Sequence, residues 1–440
     1  MLGFAAYSGL RVLRIGYLQL VEEKQKIIAM NIVHVIGNGF DLNQGLPTSY
    51  AHFYEYYFQL RPQKSDSESV LKLREKLRDR LYDEQTDRWA DLEKTLGELT
   101  TEFETESEFE EAYLDIYSHL LKYLKAVYDN SEVAKFEKLE ETIYRDLAMP
   151  WKHLVLRDRV ELENSLPSED VHVNIINFNY TNTLDRLCDL PKNVGKNMGR
   201  HDNRITIYDG CQHVHHKLES KDIILGVDNV NQILNERFRG DETVQNYLIK
   251  PQTNTGLGNM VDARCAEIIR RARIICIYGM SIGETDTTWW KEIGNRLLND
   301  NTVRVLFFPF VSDIDDVLPI QQPLRRNQQM RHLCKFLGVK PNDVKGRVFV
   351  NFCNLPGQRN IFTNTNRKDL RENFEHTMAL FQEKGVIFKP NPKPIDSRLS
   401  LETISPIDNK QLFEPRIYRK KVPTFMAENK SEGLMPEIRR

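Results

Sequence analysis

The sequence predicts an α/β protein with a three-layer, Rossmann-like core built on a mostly parallel sheet. Seven short runs are rich in apolar and β-branched residues, and several are apolar on both faces, as interior strands of a covered parallel sheet are. A Gly-x-Gly turn directly follows the first run, as in nucleotide-binding βα units. The runs span residues 32–36, 171–178, 205–208, 223–227, 274–278, 303–308 and 348–350.

The long interval between the first two runs predicts a helical insertion, because its apolar residues, Tyr113, Ile116 and Leu120 among them, recur at helical spacing. Residues 98–111 include seven Glu and no basic residue, a pattern typical of a solvated surface. We divide the chain into an N-terminal extension (1–29), the first strand and glycine loop (30–60), the helical insertion (61–167), the remainder of the α/β core (168–388) and a Pro-rich basic tail (389–440).

The two ends of the chain differ in character from its middle. The tail carries seven of the 18 prolines and more basic than acidic residues, so it is predicted to be flexible. At the other end, Arg11 and Arg14 interrupt the apolar character of the extension, which is therefore a poor signal peptide and too charged to span a membrane. No transmembrane stretch is predicted further along the chain.

Composition excludes several classes of protein. The chain has 440 residues, of which 40% are hydrophobic and 28% charged, so it is neither collagen-like nor wholly disordered. Its net charge of −2 argues against a broad nucleic-acid surface, which requires a basic face. Six cysteines without a C-x-x-C pair favour a reducing cytoplasm over a secreted, disulfide-linked protein.

The turn after the first run contains the strongest local motif, Gly37-Asn38-Gly39-Phe40-Asp41. Glycines permit a tight turn and let backbone N–H groups approach a phosphate. Leu42 stands where the third glycine of the dinucleotide motif belongs, so the motif alone is equally compatible with a structural turn. We take Gly37, Asn38, Gly39 and Asp41 as candidate nucleotide-binding residues.

A histidine-rich segment, residues 211–216, is a second candidate for a catalytic or metal-binding site. On an extended strand, Cys211, His213 and His215 share one face and His216 points to the other. One of these histidines could act as a general base near neutral pH, or the three same-face side chains could begin a zinc or iron site. A purely hydrogen-bonded or exposed role for most of them is a further reading, and we assign no metal.

Four segments together resemble the AbiH family of bacterial abortive-infection proteins. The most specific is the run IGNGFDLNQGLPTSYAHF, residues 36–53. The shorter ones are 89–93 (WADLE), 178–184 (FNYTNTL) and 278–286 (YGMSIGETD). The resemblance implies a role in defence against phage.

A more distant resemblance, to sirtuin-like NAD-binding domains, assigns roles to individual positions. It implies that Asn179 and His215 are catalytic and that a nucleotide, NAD or another, is bound. Thr181 and His216 depart from that pattern, since it has aspartate and glycine there. The binding positions that it implies are Gly37, Gly39, Ser281 and Asp286.

These observations lead to one main hypothesis and two alternatives. The main hypothesis is a cytoplasmic anti-phage protein that binds a nucleotide and hydrolyses the nicotinamide–ribose bond of NAD, with Asn179 placing ribose or water and His215 acting as general base. The alternatives are a non-catalytic sensor and a metal-dependent nuclease or phosphodiesterase. A phage or host protein as trigger and a homo-oligomeric state are left open; no membrane contact is expected.

Overall fold

The computed structural model describes residues 30–82, 91–131, 138, 140–188, 194–220, 223–312, 314–365 and 369–388. The predicted N-terminal extension, the basic tail, and Trp89 and Ala90 of the WADLE segment lie outside the described residues.

A seven-stranded sheet forms the centre of the fold, and the predicted α/β class with a mostly parallel sheet is confirmed. Its spatial order is β3-β4-β2-β1-β5-β6-β7; only the β3–β4 pair is antiparallel. The strands are β1 Met30–Ile36, β2 Val171–Asn177, β3 Asn197–His201, β4 Arg204–His213, β5 Ile274–Tyr278, β6 Arg304–Phe308 and β7 Val348–Val350.

The direction of winding reverses at β1. The chain first builds β2 and β4 on one side of β1, and then returns to add β5, β6 and β7 on the other side. The six parallel strands thus have the order found in doubly wound dinucleotide-binding sheets. Ligands bind such sheets in the crevice outside the carboxyl ends of the strands, where the winding reverses.

Two strand predictions were wrong, each for a physical reason. Residues 223–227 form no strand: Ile223, Leu225 and Val227 are buried in a helical core, and Val227 makes a single bridge to Ile249. Their apolar character therefore reflects burial alone. The edge strand β3 was missed because it is polar and largely exposed.

Helices cover both faces of the sheet and form a separate helical core. They are α1 Gly39–Asn43, α2 Tyr50–Gln59, α3 Glu68–Tyr82, α4 Leu92–Leu99, α5 Glu106–Asn130, α6 Arg145–Ala148, α7 Leu156–Glu163, α8 Thr183–Leu187, α9 Glu236–Arg239, α10 Glu242–Leu248, α11 Lys250–Gly256, α12 Val261–Arg271, α13 Thr287–Asn299, α14 Gln322–Leu337 and α15 Leu370–Glu383. None of the helices in the described ranges is long and apolar enough to cross a membrane.

Alternation along β1 shows the three layers directly. Ile32 and Ile36 pack into one apolar cluster, whereas Val33 and Val35 pack into another on the opposite face. The third large cluster lies among the helices α2 to α5, α9, α10 and α15.

Side-chain caps fix where the site-bearing helices begin. The carboxylate of Asp91 accepts the N–H of Lys94 at the start of α4, and Thr105 and Glu108 form a capping box at the start of α5. The cap on α4 sets the position of Glu93 in its first turn.

Close packing of α13 against the end of α14 gives the first prediction. A Cβ on Gly294 would lie 1.9 Å from the carbonyl oxygen of Leu337, so Gly294→Ala forces these helices apart. We expect a loss of about 1–3 kcal/mol in unfolding free energy, measured by urea denaturation. Gly256→Ala is the control, because a Cβ there meets open space. Equal stability of the two variants would contradict this packing.

Candidate functional site

Glycines at the reversal point join the loops that follow β1 and β5. The N–H of Gly37 donates to the carbonyl of Tyr278 (3.0 Å), and the N–H of Gly39 donates to that of Gly279 (2.8 Å). A Cβ on Gly39 would lie 2.5 Å from the Cα of Gly279, which itself has a φ of +66°. These glycines therefore allow two backbones to touch, and the N–H groups of Gly37 and Gly39 are used in that contact.

Asn38 and Asp41, which lie beside these glycines, are held by threonines. The Asn38 side chain accepts a hydrogen bond from Thr48 (2.6 Å), and Asp41 accepts one from Thr181 (2.5 Å). Burial raises the pKa of Asp41 to about 6, and the bond from Thr181 opposes that shift. The second carboxylate oxygen of Asp41, Oδ1, is buried without a hydrogen-bond partner among the described residues.

Two asparagines at the end of β2 show the same shortage of partners. The N–H of Asn179 donates to Oδ1 of Asn177 (3.0 Å), which fixes the turn. Asn179 is only 4% exposed, yet neither its Oδ1 nor its Nδ2 has a partner in the described part of the chain. Nδ2 of Asn177 is likewise unpaired. Each buried polar atom without a partner costs about 1–3 kcal/mol, so these atoms favour a water, an ion or a polar ligand as partner.

Beyond the end of β4, His215 lies against two aromatic rings and a carboxylate. Its ring contacts those of Phe178 and Tyr180, with centroid separations of 5.4 and 5.9 Å. Its Nε2 lies 3.7 Å from Oδ1 of Asp286, too far for a hydrogen bond, and is otherwise unpaired. Burial and the nearby Lys250 lower the pKa of His215 to about 3, so the imidazole is uncharged at neutral pH.

A buried lysine connects this histidine to the helical core. Nζ of Lys250 donates to Oδ1 of Asp286 (3.0 Å) and to Oε2 of Glu93 (2.7 Å), and the Lys250 side chain is 6% exposed. The hydroxyls of Tyr50 and Tyr180 donate to the other Glu93 oxygen, at 3.1 and 3.2 Å. Both oxygens of Glu93 are therefore satisfied.

Burial disfavours the charged form of both Glu93 and Lys250, but only the glutamate has a net pKa shift toward its neutral form. Burial raises the pKa of Glu93, an effect that Lys250 opposes and Asp286 reinforces. Burial also disfavours the charged form of Lys250, but Asp286 and Glu93 outweigh it and raise the lysine pKa. Lys250 therefore stays protonated, and the cluster holds more potential negative than positive charge.

The histidine-rich segment does not adopt the predicted single-face arrangement. β4 ends at His213, and His216 takes a left-handed backbone conformation, so His215 is separated from Cys211 and His213. Nε2 of His213 instead pairs with Asp185 (2.9 Å). Asp185 is itself buried, so this carboxylate and its histidine partner are both largely shielded from solvent.

The structure brings most, but not all, of the predicted site residues to this edge of the sheet. Asp286 lies at the cluster, whereas Ser281 is exposed in the same loop without a hydrogen bond to any residue of the cluster. Sequence reasoning missed Lys250, Tyr50 and Tyr180. Tyr50 and Tyr180 lie within segments that resemble AbiH, but Lys250 gives no local signal, because only the tertiary fold shows that it is buried between two acids.

Comparison with known proteins identifies the family. A family model described as "Bacteriophage abortive infection AbiH" matches residues 33–308, more than half of the chain. The chain belongs to the AbiH family. The matched range runs from the middle of β1 to the end of β6 and includes the residues of the candidate site described above. Family membership assigns this AbiH protein a role in abortive infection, that is, in defence against bacteriophage.

No curated protein matches the chain. The more distant resemblance to sirtuin-like domains is not borne out.

Removal of the buried cation gives the second prediction. Lys250→Met leaves Glu93 and Asp286 buried without their shared partner, so we expect a loss of about 3–5 kcal/mol in unfolding free energy. Adding Glu93→Gln should recover part of the loss, because one buried carboxylate is removed.

The control is Lys94→Met, which breaks the more exposed pair with Glu284 and should cost less than about 1 kcal/mol. Urea denaturation of all four proteins measures these differences. Lys250→Met as stable as Lys94→Met would show that the buried cluster contributes no more than a surface pair.

Proposed function

We propose that this AbiH protein binds a nucleotide in the crevice at the carboxyl ends of β1, β2 and β4, and that it hydrolyses the nicotinamide–ribose bond of NAD during abortive infection. The observation that carries the proposal is the set of buried polar atoms without partners on Asn179 and His215. A polar ligand would supply the hydrogen bonds that these atoms lack.

The place of these atoms in the fold supports a nucleotide as ligand. They lie at the carboxyl ends of neighbouring parallel strands, beside the point where the winding reverses. An amide that both donates and accepts, such as that of Asn179, suits a ribose hydroxyl or a water. The N–H groups of Gly37 and Gly39 already donate to carbonyls, so these glycines contribute close approach of the backbone.

Hydrolysis in this crevice proceeds by replacement of nicotinamide with water. The bond between C1′ of the ribose and the nicotinamide nitrogen breaks, and nicotinamide leaves with the bonding electrons. A water held by Asn179 forms the new bond to C1′, and its proton passes to Nε2 of His215, which has no hydrogen-bond partner among the described residues and lies 3.7 Å from Oδ1 of Asp286. The products are nicotinamide, ADP-ribose and one proton.

Charge in the crevice favours this reaction over attack by an anion. Glu93 and Asp286 together outnumber Lys250, and Asp286 lies next to His215. Positive charge develops on the ribose ring as the bond breaks, and fixed carboxylates stabilise charge of that sign in a site shielded from water.

The third prediction tests catalysis. Purified protein, incubated with NAD in the presence and absence of extract from phage-infected cells, should release nicotinamide and ADP-ribose, identified by mass spectrometry. We expect His215→Ala and Asn179→Ala to lower kcat/KM by about 100-fold or more. The control is His172→Ala, which removes a histidine paired with Asp209 at the opposite end of β2.

Two outcomes would contradict the proposal. NAD that remains intact under every condition would exclude hydrolysis of NAD. Folded Asn179→Ala and His215→Ala proteins that still protect cells from phage would favour the non-catalytic sensor instead.

A further inference from the structure

Three side chains of different chemistry converge where β4 ends and α8 begins. They are the carboxylate of Asp185, the thiol of Cys211 and the imidazole of His213, and their ligand atoms all lie within 4.8 Å of one another. The sequence could not show this group, because Asp185 is 26 or more residues away from the other two. Asp185 replaces His215 in the trio of candidate ligands, Cys211, His213 and His215, that the two-residue period of a β-strand suggested.

Local structure explains how the group assembles. Cys211 and His213 are two residues apart on β4 and therefore share a face of the sheet. β2 pairs with β4 in parallel and aligns Asn177 with His213, and the chain then turns through residues 178–182 into α8. Asp185 in the first turns of α8 thus faces the end of β4.

A second His–Asp pair on the same sheet, His172 and Asp209, can be compared with the pair of His213 and Asp185. Nδ1 of His172 lies 3.0 Å from both oxygens of Asp209, and that pair belongs to no such group of ligand residues in the described ranges. His213 is more buried, with a side chain 10% exposed, and only its Nε2 is paired. Its Nδ1 is buried without a partner among the described residues. One nitrogen of the His213 imidazole therefore has no hydrogen-bond partner among the described residues.

The carboxylate of Asp41 supplies a separate sign of an incomplete site. Asp41 is 1% exposed, its Oδ1 has no partner in the described structure, and it lies close enough to His213 to interact with it electrostatically. Asp41 is not one of the three ligand residues, so its carboxylate would act on a bound cation only through its charge.

We infer that Asp185, Cys211 and His213 bind a Zn²⁺ ion. A thiolate, an imidazole and a carboxylate are the three ligand types that zinc takes in proteins, and the thiolate disfavours Mg²⁺ and Ca²⁺. Three protein ligands leave a fourth position for water or an anionic oxygen. On binding, the Cys211 thiol gives its proton to solvent, and the ion joins the end of β4 to α8.

The zinc site is independent of the proposed hydrolysis of NAD, since neither the ligand set nor its test involves that reaction. The structural alternative is that His213 and Asp185 form a hydrogen-bonded pair beside an inert thiol. Metal content and metal spectroscopy distinguish the two.

The experiment is elemental analysis of the full-length chain purified after growth with added zinc. We expect about one zinc per chain in the wild type and in the control Cys334→Ser, whose thiol is buried on α14, and at least a tenfold lower content in Cys211→Ser and in His213→Ala. After chelation, Co²⁺ added to the wild type should give a near-ultraviolet thiolate-to-cobalt band that Cys211→Ser lacks.

Circular dichroism establishes whether each variant folds. If Cys211→Ser does not fold, the cobalt band in the wild-type protein decides alone. A wild type without stoichiometric zinc and without a cobalt–thiolate band would overturn the inference, as would zinc that persists in folded Cys211→Ser and His213→Ala.

Discussion

The buried ammonium group of Lys250 determines how the site is built. It satisfies carboxylates from two separate parts of the chain: Glu93 in the helical core and Asp286 in the loop after β5. Without that cation, two acids would be buried side by side, at a cost that proteins avoid by protonation or rearrangement. Because Lys250 holds Asp286 in place, the carboxylate lies 3.7 Å from Nε2 of His215, and Glu93 links the same cation to the helical core.

In contrast to the paired carboxylates of Glu93 and Asp286, several buried polar groups at this edge of the sheet have no partner among the described residues. Asp41, Asn177, Asn179 and His215 each bury at least one polar atom that no described residue satisfies. The glycine contact between the loops after β1 and β5 brings the ends of these two strands together, since no side chain on Gly37 or Gly39 separates the two backbones. Sites that sacrifice local stability in this way are characteristic of binding and catalysis.

Sequence reasoning could predict the sheet because its signals are local. The apolar runs, the glycine turn and the AbiH segments each depend on residues close together in the chain. It failed at residues 223–227, where burial by helices imitates a buried strand, and at β3, where an exposed edge carries no apolar pattern.

The positions of the candidate site residues could be predicted only in part, for the same reason. Asn179 and His215 follow strands, so their place at the carboxyl edge was predictable. Lys250 was not, because nothing near it in the sequence distinguishes a buried lysine from an exposed one. The partners of His213 were also missed, since Asp185 reaches it from another element.

The most direct test of the central claim, that this edge binds a nucleotide, is calorimetric titration with a non-hydrolysable carbocyclic analogue of NAD. We expect one binding site per chain and at least a tenfold weaker affinity for Asn179→Ala, which loses hydrogen bonds worth about 1–3 kcal/mol. Absence of binding to the wild type, or equal affinity of the two proteins, would contradict it.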